Sequence, residues 1–422
     1  MKIGVIGSGL AGLSACWYAS KFAQVTLIEK EKTIGIDAHS VDVPLRDGRV
    51  VRVDTPLRVL KAGYYPGLLR LYGAARIPTE IIDYSGSFCD AQRRPYFRYQ
   101  NLIVGEATYS FITNAFNLAR PGWRIIRDLV RFYTRGPRHL KSPELARMDF
   151  GEYLRAYNYS REFREGFILP LFAAINTCSY RAARAYPAAI LIAYLVNSRR
   201  PSGVRRIVGG VGHVARTLSQ TAAEIRCGFP VQRIEQIADR VRITTGQGQQ
   251  EYDWIVLATE ANQAARLCAE TLPQHRALLA RFGCESSDLV IHKDLSFLPE
   301  KRSAWSPVNF FVDANHEKPM ATIYMNAIQK ELRTAEPVLQ TWNPHRTPAP
   351  DALLMQASFQ RPLVTHDTPR TLDELTALNN DENNRIKICG SYAETGIPLL
   401  EAAAVSGEKI AGLLAAQSKR FQ

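Results

Sequence analysis

Residues 1–19 read MKIGVIGSGLAGLSACWYA, and three glycines stand within six positions of this stretch, at Gly7, Gly9 and Gly12. The apolar run before them is typical of a buried parallel strand, and the residues after them predict a helix that packs on the sheet. With this spacing, Gly7 permits a tight turn, Gly9 lets a diphosphate approach the main chain, and Gly12 lets the helix lie close to the strand. The unpaired N–H groups of the helix N-terminus then face the phosphates.

A second apolar run supports a dinucleotide site. The sequence QVTLIEK at residues 24–30 contains Glu29, 22 residues after Gly7, at the place where a carboxylate accepts hydrogen bonds from ribose hydroxyls. These segments do not distinguish NAD from FAD, because both cofactors carry the ADP half that such a unit holds.

The C-terminal stretch predicts that the chain returns to this first domain. Residues 386–389 have the pattern of a buried strand, a glycine turn follows, and a helix with Ala and Gly on one face begins near Leu399. A simple nicotinamide dehydrogenase does not need such a return, so the pattern favours a flavin cofactor.

Composition limits the class of protein. Of the 422 residues, 46% are hydrophobic and 22% are charged, as in ordinary globular proteins, and the first residues read as a strand rather than as a signal peptide. The longest apolar run, residues 186–196, is shorter than the roughly 20 residues that a membrane-spanning helix needs. We therefore expect a cytoplasmic protein that does not cross a membrane.

Cysteine and histidine do not form the patterns of a disulfide framework or a metal site. The seven cysteines are odd in number and include no CxxC pair, which is typical of a protein from a reducing compartment. The histidines show no pairing at i and i+4, and the sequence predicts no metal.

Segments spread over nearly the whole chain resemble the FAD-dependent amine-oxidase-like superfamily, within the glutathione-reductase-like flavoproteins. In chain order these segments are GSGLAG (7–12), IGIDAHSVDV (34–43), RIVGGVGHVARTLS (206–219), VQRI (231–234), YDWIVLAT (252–259), CGSY (389–392) and LLEAAAVSG (399–407). A bacterial branch of predicted NAD/FAD-binding proteins, often found with fatty acid modification, is similar in four further segments. These are VDTPLRVLKAGYYPGLLRLY (53–72), HKDLSFLP (292–299), IYMNAIQ (323–329) and TWNP (341–344).

The resemblance implies FAD as the cofactor and a set of residues that hold it. The residues expected beside the pyrophosphate, the adenosine and the neighbouring loop are Gly7, Gly9, Ala11, Gly12, Glu29, Lys30, Gly35, Ser40, Gly209, Gly210 and Val231. Among these, Glu29 is expected to hold the ribose, Gly209 and Gly210 to open a second helix against the phosphates, and Val231 to offer its backbone to the adenine.

The same resemblance implies that the flavin end is covered by the later segments. Ala258 and Thr259 end a strand of the flavin domain, and Gly390 lies beside the ribitol. Glu401 and Ala402 start a helix whose N–H groups face the O2 side of the flavin ring and stabilise negative charge there.

One loop departs from the family pattern. The usual second glycine of its GG pair is Ile36, and the branch's usual His and Asn nearby are replaced by Asp37 and His39. These replacements affect the expected phosphate contacts of the loop on the flavin side.

We predict an α/β fold in which a glutathione-reductase-like FAD-binding Rossmann domain is interleaved with an α+β substrate domain. Residues 1–60, 201–284 and 381–422 are expected to form the discontinuous FAD-binding domain. Residues 61–200, largely helical in pattern, and residues 285–380, which contain strand-like runs, are expected to form the substrate domain.

Four residues are candidates for catalysis. Lys293 falls in the region where amine oxidases keep a lysine near the flavin N5, and the alternative is a solvated lysine at a strand end. Tyr324 and Asn326 alternate onto one face of a predicted strand, and Tyr392 follows the glycine turn of the flavin ring, so these three are candidates for the pocket. His292 is as compatible with a core position as with a proton carrier.

Different functions remain open on this evidence. The resemblance favours an FAD-dependent oxidoreductase that acts on C–C bonds of a fatty acyl or other lipid substrate, by desaturation, reduction or double-bond isomerisation. One alternative is a flavin-dependent amine oxidase. Another is a non-catalytic flavin-binding partner of a lipid-modifying enzyme.

The net charge of +13 is concentrated in part at residues 120–141. Arginines recur there at spacings of three or four, which places them on one stripe of a helix that Gly136 and Pro137 are expected to end. The stripe is Arg120, Arg124, Arg127, Arg131 and Arg135, and the apolar arc beside it is Trp123, Ile126, Leu129, Val130, Phe132 and Tyr133. This pattern predicts peripheral binding to an anionic membrane on its inner face, whereas a core helix with a solvated arginine face is the alternative. No nucleic-acid-binding motif accompanies the stripe, so nucleic acid is not expected as a partner.

Overall fold

The structure is a computed structural model that describes residues 1–45, 47–112, 115–119, 121–197 and 202–418. Two large sheets organise these residues. One is parallel and is built from both ends and the middle of the chain, and the other is mainly antiparallel.

The parallel sheet has the strand order β11–β2–β1–β15–β21. Its strands are β1 (Lys2–Ile6), β2 (Gln24–Ile28), β11 (Glu224–Arg226), β15 (Trp254–Leu257) and β21 (Ile386–Ile388). The central strand β1 is apolar along its length because helices cover both faces of the sheet.

Six helices provide this cover. One face packs against α1 (Leu10–Ala19), α10 (Gly210–Ser219) and α15 (Leu400–Ser418), and the other against α11 (Ala261–Leu267), α12 (Pro273–Leu279) and α14 (Thr368–Asn380). Helix α14 falls within the range expected for the substrate domain. It nevertheless belongs with the parallel sheet, because the side-chain amide of Asn379 bonds both the N–H (2.8 Å) and the carbonyl oxygen (3.0 Å) of Ile388.

The antiparallel sheet has eight strands in the order β20–β16–β19–β18–β17–β7–β8–β9, with only the β17–β7 pair parallel. Its strands are β7 (Gly86–Cys89), β8 (Pro95–Val104), β9 (Ala107–Phe111), β16 (Cys284–His292), β17 (Val308–Phe311), β18 (Met320–Tyr324), β19 (Leu339–Trp342) and β20 (Leu353–Pro362). They come from the two segments predicted for the substrate domain, except that β16 starts one residue earlier.

A helical layer covers one face of this sheet. Its helices are α3 (Ala115–Leu118), α4 (Gly122–His139), α5 (Phe150–Ala156), α6 (Arg161–Phe163), α7 (Leu169–Asn176), α8 (Tyr180–Ala185) and α9 (Ala188–Asn197). The core between them is rich in aromatic side chains, such as Phe88 and Phe310, whose rings stack with 4.5 Å between centroids.

Smaller elements connect the two units. They are α2 (Pro66–Ala74), α13 (Met325–Ile328), the sheet of β5 (Val59–Lys61), β10 (Val204–Ile207) and β6 (Thr79–Ile81), the meander of β12 (Val231–Ile237), β13 (Arg240–Thr245) and β14 (Gly248–Tyr252), and the pair β3 (Val41–Pro44) and β4 (Val50–Val53). Within the described ranges, none of the helices combines the length and the apolar character that crossing a bilayer requires. The predicted α/β class, a Rossmann-type domain interleaved with an α+β domain, is confirmed.

Candidate cofactor and substrate site

The glycine turn between β1 and α1 has the geometry that its sequence predicts. Gly7 has a φ of +98°, and a Cβ at Gly12 would lie 1.9 Å from the carbonyl oxygen of Gly7. At Gly9, by contrast, a Cβ would meet no atom within 4 Å. Gly12 is therefore required by helix–strand packing, whereas Gly9 borders free space at the N-terminus of α1, where a phosphate group fits.

Glu29 follows β2 and is buried beside this turn. Its Oε2 accepts hydrogen bonds from the backbone N–H (2.9 Å) and the hydroxyl (2.6 Å) of Ser8, and its Oε1 accepts one from the N–H of Glu31 at 3.0 Å. Gly35 donates to the Ser8 hydroxyl at 2.6 Å, and a Cβ at Gly35 would lie 2.5 Å from Glu29 Oε2. The carboxylate is held in place with Oε1 still able to accept a hydrogen bond from a ribose hydroxyl.

The other residues predicted for the adenosine end lie around this cluster. Ala11 is buried in α1, and Lys30 is an exposed residue paired with Glu31 at 3.7 Å. The hydroxyl of Ser40 accepts a hydrogen bond from the N–H of Thr55 at 3.4 Å. Val231 is the first residue of β12.

Two further predicted residues close the turn from the side of β15. Ala258 directly follows β15 and donates its N–H to Ile6 at 2.9 Å, and Thr259 comes next in the chain. A Cβ at Gly7 would lie 3.0 Å from the carbonyl oxygen of Ala258, so β15 ends against the glycine turn.

The second glycine pair opens α10 next to a carboxylate of the chain itself. Gly209 and Gly210 have positive φ values of +79° and +69°, and Val211 donates its N–H to Asp54 Oδ1 at 2.9 Å. Burial raises the pKa of Asp54. The N–H of Val211, the first after the glycine pair, thus donates to Asp54. The sequence predicted that this turn faces the phosphates, and it did not predict the contact with Asp54.

The loop that departs from the family pattern is ordered by ion pairs and packing. Ile36 is buried in the core around α1, and Arg52 Nη2 binds Asp37 Oδ2 at 2.9 Å. The ring of His39 contacts that of Phe359 edge to face, with 5.2 Å between centroids. This last contact joins the cofactor loop to β20 of the antiparallel sheet.

The C-terminal residues predicted to cover the flavin lie at the start of α15. Gly390 donates its N–H to the hydroxyl of Ser406 at 3.1 Å, and Ala402 is buried in the first turn of the helix. The Glu401 carboxylate accepts hydrogen bonds from the N–H groups of Gly67 (2.7 Å) and Leu68 (2.9 Å). Its side chain therefore caps α2, which sequence reasoning did not predict.

The structure corrects the expectation for Lys293. Its Nζ pairs with Glu336 Oε2 at 2.9 Å, and about a third of the side chain (31%) is exposed. Its neighbour His292 is buried and bonds Thr341 Oγ1 through Nε2 at 2.8 Å. Burial lowers the pKa of His292 to about 4, so it is a neutral core residue at neutral pH.

Tyr324 and Asn326 do not share a strand face, contrary to the prediction. Tyr324 is the last residue of β18 and contacts Trp305, with 5.7 Å between ring centroids, whereas Asn326 lies in α13. Asn326 Nδ2 donates to three carbonyl oxygens, among them that of Leu332 at 2.7 Å, and Oδ1 accepts from Val338 at 2.8 Å. These bonds turn the chain after β18 and engage the NH2 group of Asn326 with the backbone.

Tyr392, the fourth catalytic candidate, is buried in the core beneath the parallel sheet. Its ring lies 4.9 Å from that of Phe282, measured between centroids, and its hydroxyl has no hydrogen-bond partner among the described residues. Burial raises its pKa well above the usual value.

Two polar and two aromatic residues that sequence reasoning missed lie on the helix-facing side of the antiparallel sheet. The strand register places Gln340, Trp342, Phe359 and Arg361 on one face. Arg361 Nε donates to Thr177 Oγ1 at 2.5 Å, and its guanidinium lies 5.5 Å from the centre of the Trp342 ring. In the described part of the chain, no carboxylate lies within ion-pair distance of Arg361.

Arg58 approaches the same face from the segment after β4. The N–H of Leu57 donates to Gln340 Oε1 at 2.8 Å, which ties this segment to β19. Within the described residues, Arg58 Nε and Gln340 Nε2 are buried without a hydrogen-bond partner. Burial and then the nearby Arg361 lower the pKa of Arg58 to about 10. Two half-buried arginines and an unpaired amide therefore lie close together, and the only sequence signal was an arginine in the otherwise uncharged strand β20.

A histidine cluster lies elsewhere in the antiparallel domain. Asp313, His316 and His345 bring one ligand atom each to within 4.8 Å of one another, and the two imidazoles stack with 3.8 Å between ring centroids. Because parallel rings direct their in-plane lone pairs side by side, the cluster is not arranged for a common ion. The expectation of no metal remains a prediction.

The comparisons with known proteins agree with this site. Residues 5–75 match the model of the NAD(P)-binding Rossmann-like domain family. Among curated protein sequences, none matches the chain significantly. The parallel sheet, the glycine turn and Glu29 define a dinucleotide-binding domain of the Rossmann type.

Solved structures extend the likeness to the whole chain. The CLA-producing fatty acid isomerase from P. acnes is 13% identical, with a TM-score of 0.67 and 97% of each chain covered. Cyclohexylamine oxidase from Brevibacterium oxydans IH-35A is 14% identical, with a TM-score of 0.64, 100% of this chain and 99% of the other covered. Putrescine oxidase is 13% identical, with a TM-score of 0.64 and 99% of each chain covered. The chain therefore shares its fold with these two amine oxidases and the fatty acid isomerase.

Proposed function

We propose that this protein is an FAD-dependent oxidoreductase whose substrate is a long-chain carboxylic acid. The observation that carries the substrate assignment is the pair of half-buried arginines, Arg58 and Arg361, which lie close together and have no ion pair with a carboxylate among the described residues. The reaction is a desaturation, a reduction or a redox-neutral double-bond isomerisation of the acyl chain.

The residues at the glycine turn fit FAD. Gly9 leaves open space beside the unpaired N–H groups of α1, and Glu29 is fixed where the adenosine ribose binds. When bound, FAD accepts and returns a hydride, so the protein has to supply a shaped pocket rather than reactive side chains. The contact between His39 and Phe359 connects the cofactor loop to the sheet face that carries Arg361.

The surroundings of Arg361 suit the two parts of a fatty acid. Trp342 and Phe359 lie on the same face as Arg361 and are apolar, which matches an acyl chain. Arg361 offers a guanidinium fork that matches a carboxylate. The arginines thus orient the acid, and the apolar face excludes water from its chain.

This arrangement disfavours the amine oxidase alternative. A protonated amine would meet Arg58 and Arg361, two half-buried positive charges, and would be repelled. The lysine candidate of that alternative, Lys293, is instead paired with Glu336.

Ligand titrations of the purified holoprotein test the proposal. Oleate, oleyl alcohol and oleylamine would each be added below their aggregation limits while the visible spectrum of the bound flavin is recorded. We expect oleate to change the spectrum at a concentration at least tenfold lower than the alcohol or the amine. Equal or tighter binding of oleylamine would overturn the assignment of a carboxylate substrate.

Product analysis separates the reaction classes. After anaerobic incubation with linoleate, a product lighter by two hydrogens, formed in step with reduction of the bound flavin, indicates desaturation. In a second incubation, in which dithionite first reduces the flavin, a product heavier by two hydrogens indicates reduction. An isomer of unchanged mass with moved double bonds indicates isomerisation. Tight binding of a panel of unsaturated acids without any product, in air or with added electron acceptors, would contradict an enzyme and favour the non-catalytic partner.

A further inference from the structure

The exposed large apolar side chains are concentrated in one part of the molecule. Eight of the fifteen such side chains in the described residues lie between Leu102 and Val130. Single exposed apolar residues are ordinary on a protein surface, whereas a contiguous group marks a contact site. The group that we call the hairpin patch consists of Leu102, Ile103, Val104, Tyr109, Phe111, Phe116 and Leu118.

Most of the hairpin patch lies on a two-stranded ribbon that leaves the antiparallel sheet. Strand β8 pairs with β7 up to Tyr99 and pairs with β9 from Gln100 onward. Residues 100–111 therefore extend beyond the part of β8 that pairs with β7, and Glu106 in the turn contacts the chain at Gly203 and Arg205.

The strand register turns four of these side chains to one face of the ribbon. Leu102 lies opposite Tyr109, and Val104 and Phe111 are each two positions away on the same strands. The exposed fractions of these side chains are 51% for Leu102, 49% for Tyr109, 57% for Val104 and 52% for Phe111. Both strands thus expose apolar surface in one direction.

Helix α3 extends this surface and is held firmly. The buried amide of Asn117 accepts a hydrogen bond from the N–H of Arg98 at 2.9 Å and donates to the carbonyl oxygen of Ile112 at 2.8 Å. Phe116 and Leu118, on either side of Asn117, are 43% and 61% exposed. Their exposure is therefore set by a defined docking of α3 on β8.

The next helix carries the positive charge, and part of its apolar side packs in the core. Leu129 and Phe132 of the predicted arc are buried there, whereas Val130 of the same arc is 54% exposed, so the arc does not form one continuous free surface. The helix also continues through Pro137 to His139 instead of ending at the Gly–Pro pair.

Part of the predicted arginine stripe is engaged within the protein. Arg124 Nη1 pairs with Glu162 Oε1 at 2.6 Å, and Arg131 Nη1 lies 3.4 Å from Oδ1 of the buried Asp128. Arg120 lies outside the described residues. The predicted stripe therefore does not act as a single free surface.

Three basic residues at the end of this segment face solvent. Arg135, Arg138 and Lys141 are exposed, and Arg127 is exposed as well but pairs with Asp128 at 3.0 Å. Between Ala115 and Lys141 the sequence has seven Arg and Lys residues against one acidic residue, Asp128. The exposed apolar patch is thus followed at once by a strongly basic segment.

We propose that the hairpin patch and the exposed basic residues of α4 together bind an anionic phospholipid membrane. Apolar and aromatic side chains inserted at the interface, with Arg and Lys beside the lipid phosphates, form the combination that holds peripheral proteins on such surfaces. A second copy of the chain fits less well, because an isologous contact would bring two basic segments together. The surface does not depend on the proposed reaction, since vesicle binding requires no turnover.

Vesicle flotation tests this surface. The holoprotein would be mixed with vesicles of phosphatidylcholine alone or of phosphatidylcholine with phosphatidylglycerol. We expect binding to the anionic vesicles only, and a decrease as salt rises. The patch variant L102S/Y109S/F111S should bind at least tenfold more weakly. The charge variant R135Q/R138Q/K141Q should lose about fivefold for each basic residue that reaches the lipid surface.

A matched control removes exposed apolar side chains elsewhere. The variant V50S/I225S/I237S changes three residues that are also exposed, and it should bind like the parent protein. Flavin content and circular dichroism verify that each variant is folded. The proposal is overturned if the parent binds neither kind of vesicle, if the patch variant binds like the parent, or if the patch instead mediates a dimer seen by sedimentation that does not bind vesicles.

Discussion

Gly407 in the last helix packs directly on the backbone of Ala11 in the first one. A Cβ at Gly407 would lie 2.3 Å from the carbonyl oxygen of Ala11, and the hydroxyl of Ser14 donates to the carbonyl oxygen of Ala404 at 2.7 Å. This close contact brings the start of α15 to the same end of the parallel sheet as the glycine turn. Residues nearly 400 positions apart in the chain therefore form one cofactor site.

Replacing Gly407 by alanine should separate these helices. We expect the G407A variant to lose about 1–3 kcal/mol of its free energy of unfolding, because backbone rather than a movable side chain occupies the space. It should also retain less FAD. The control is G412A in the same helix, where a Cβ meets no atom within 4 Å and alanine should add up to about 1 kcal/mol. Chemical denaturation measures the free energy of unfolding of both variants. Equal values for G407A and G412A would contradict the packing argument.

Gly9 and Gly12 should respond differently to the same substitution. G9A should fold with nearly unchanged stability, since its Cβ enters free space, but it should lose FAD because that space is where the pyrophosphate lies. G12A should lose both stability and FAD, because its Cβ would collide with the Gly7 carbonyl. The ratio of flavin to protein absorbance, with mass analysis of the released nucleotide, measures retention. A G9A protein with a full complement of FAD would refute the site, as would release of NAD from the parent.

Arg361 should matter for substrate binding and not for stability. In R361M, the affinity for oleate should fall about tenfold or more, the effect of losing a hydrogen bond to a charged group. The free energy of unfolding should be unchanged or higher, because a half-buried cation without an acidic partner is removed. R302M is the matched control, since Arg302 also lies over a tryptophan, at 5.6 Å from the ring of Trp305. If R361M binds oleate as tightly as the parent protein, Arg361 does not bind the carboxylate.

His292 should make stability depend on pH in acid. Burial lowers its pKa from 6.5 to about 4 in the folded protein, so between these values the unfolded chain binds more protons. The free energy of unfolding should therefore fall as pH drops from 6.5 to 4, by up to about 1.4 kcal/mol per pH unit. H292Q should reduce this slope while keeping a donor for Thr341. Parallel pH profiles for parent and variant would show that His292 does not titrate in this way.

The cofactor half of the site was predictable because its requirements are local. A turn at Gly7, a close approach at Gly9 and tight packing at Gly12 each leave a glycine at a definite spacing within one strand–turn–helix unit. Glu29 is only one strand further along the chain. The return of the C-terminal helix could also be predicted, since Ala and Gly on one face indicate a close helix contact.

The substrate half was not predictable in the same way. Arg58 and Arg361 are about 300 residues apart in the chain, and neither belongs to a motif. Tyr324 and Asn326 have the alternation of a strand, but the chain turns between them because the Asn326 amide bonds the carbonyl oxygens of the following loop. The alternation of residue types indicates a single strand or helix. It does not show where that strand or helix ends, because contacts with the rest of the chain decide this.

The sequence by itself determined the class of fold and the glycine turn expected to hold a dinucleotide, because strand, turn and helix chemistry act over a few residues. Only the tertiary structure decided which side of α4 is buried. An amphipathic pattern shows that a helix has an apolar side, but core and bilayer are equally apolar partners for it. The structure places Leu129 and Phe132 of that side in the core and leaves Leu102 and Phe111 of the neighbouring hairpin exposed. Burial depends on what the rest of the chain packs against each surface, and that is settled by long-range contacts.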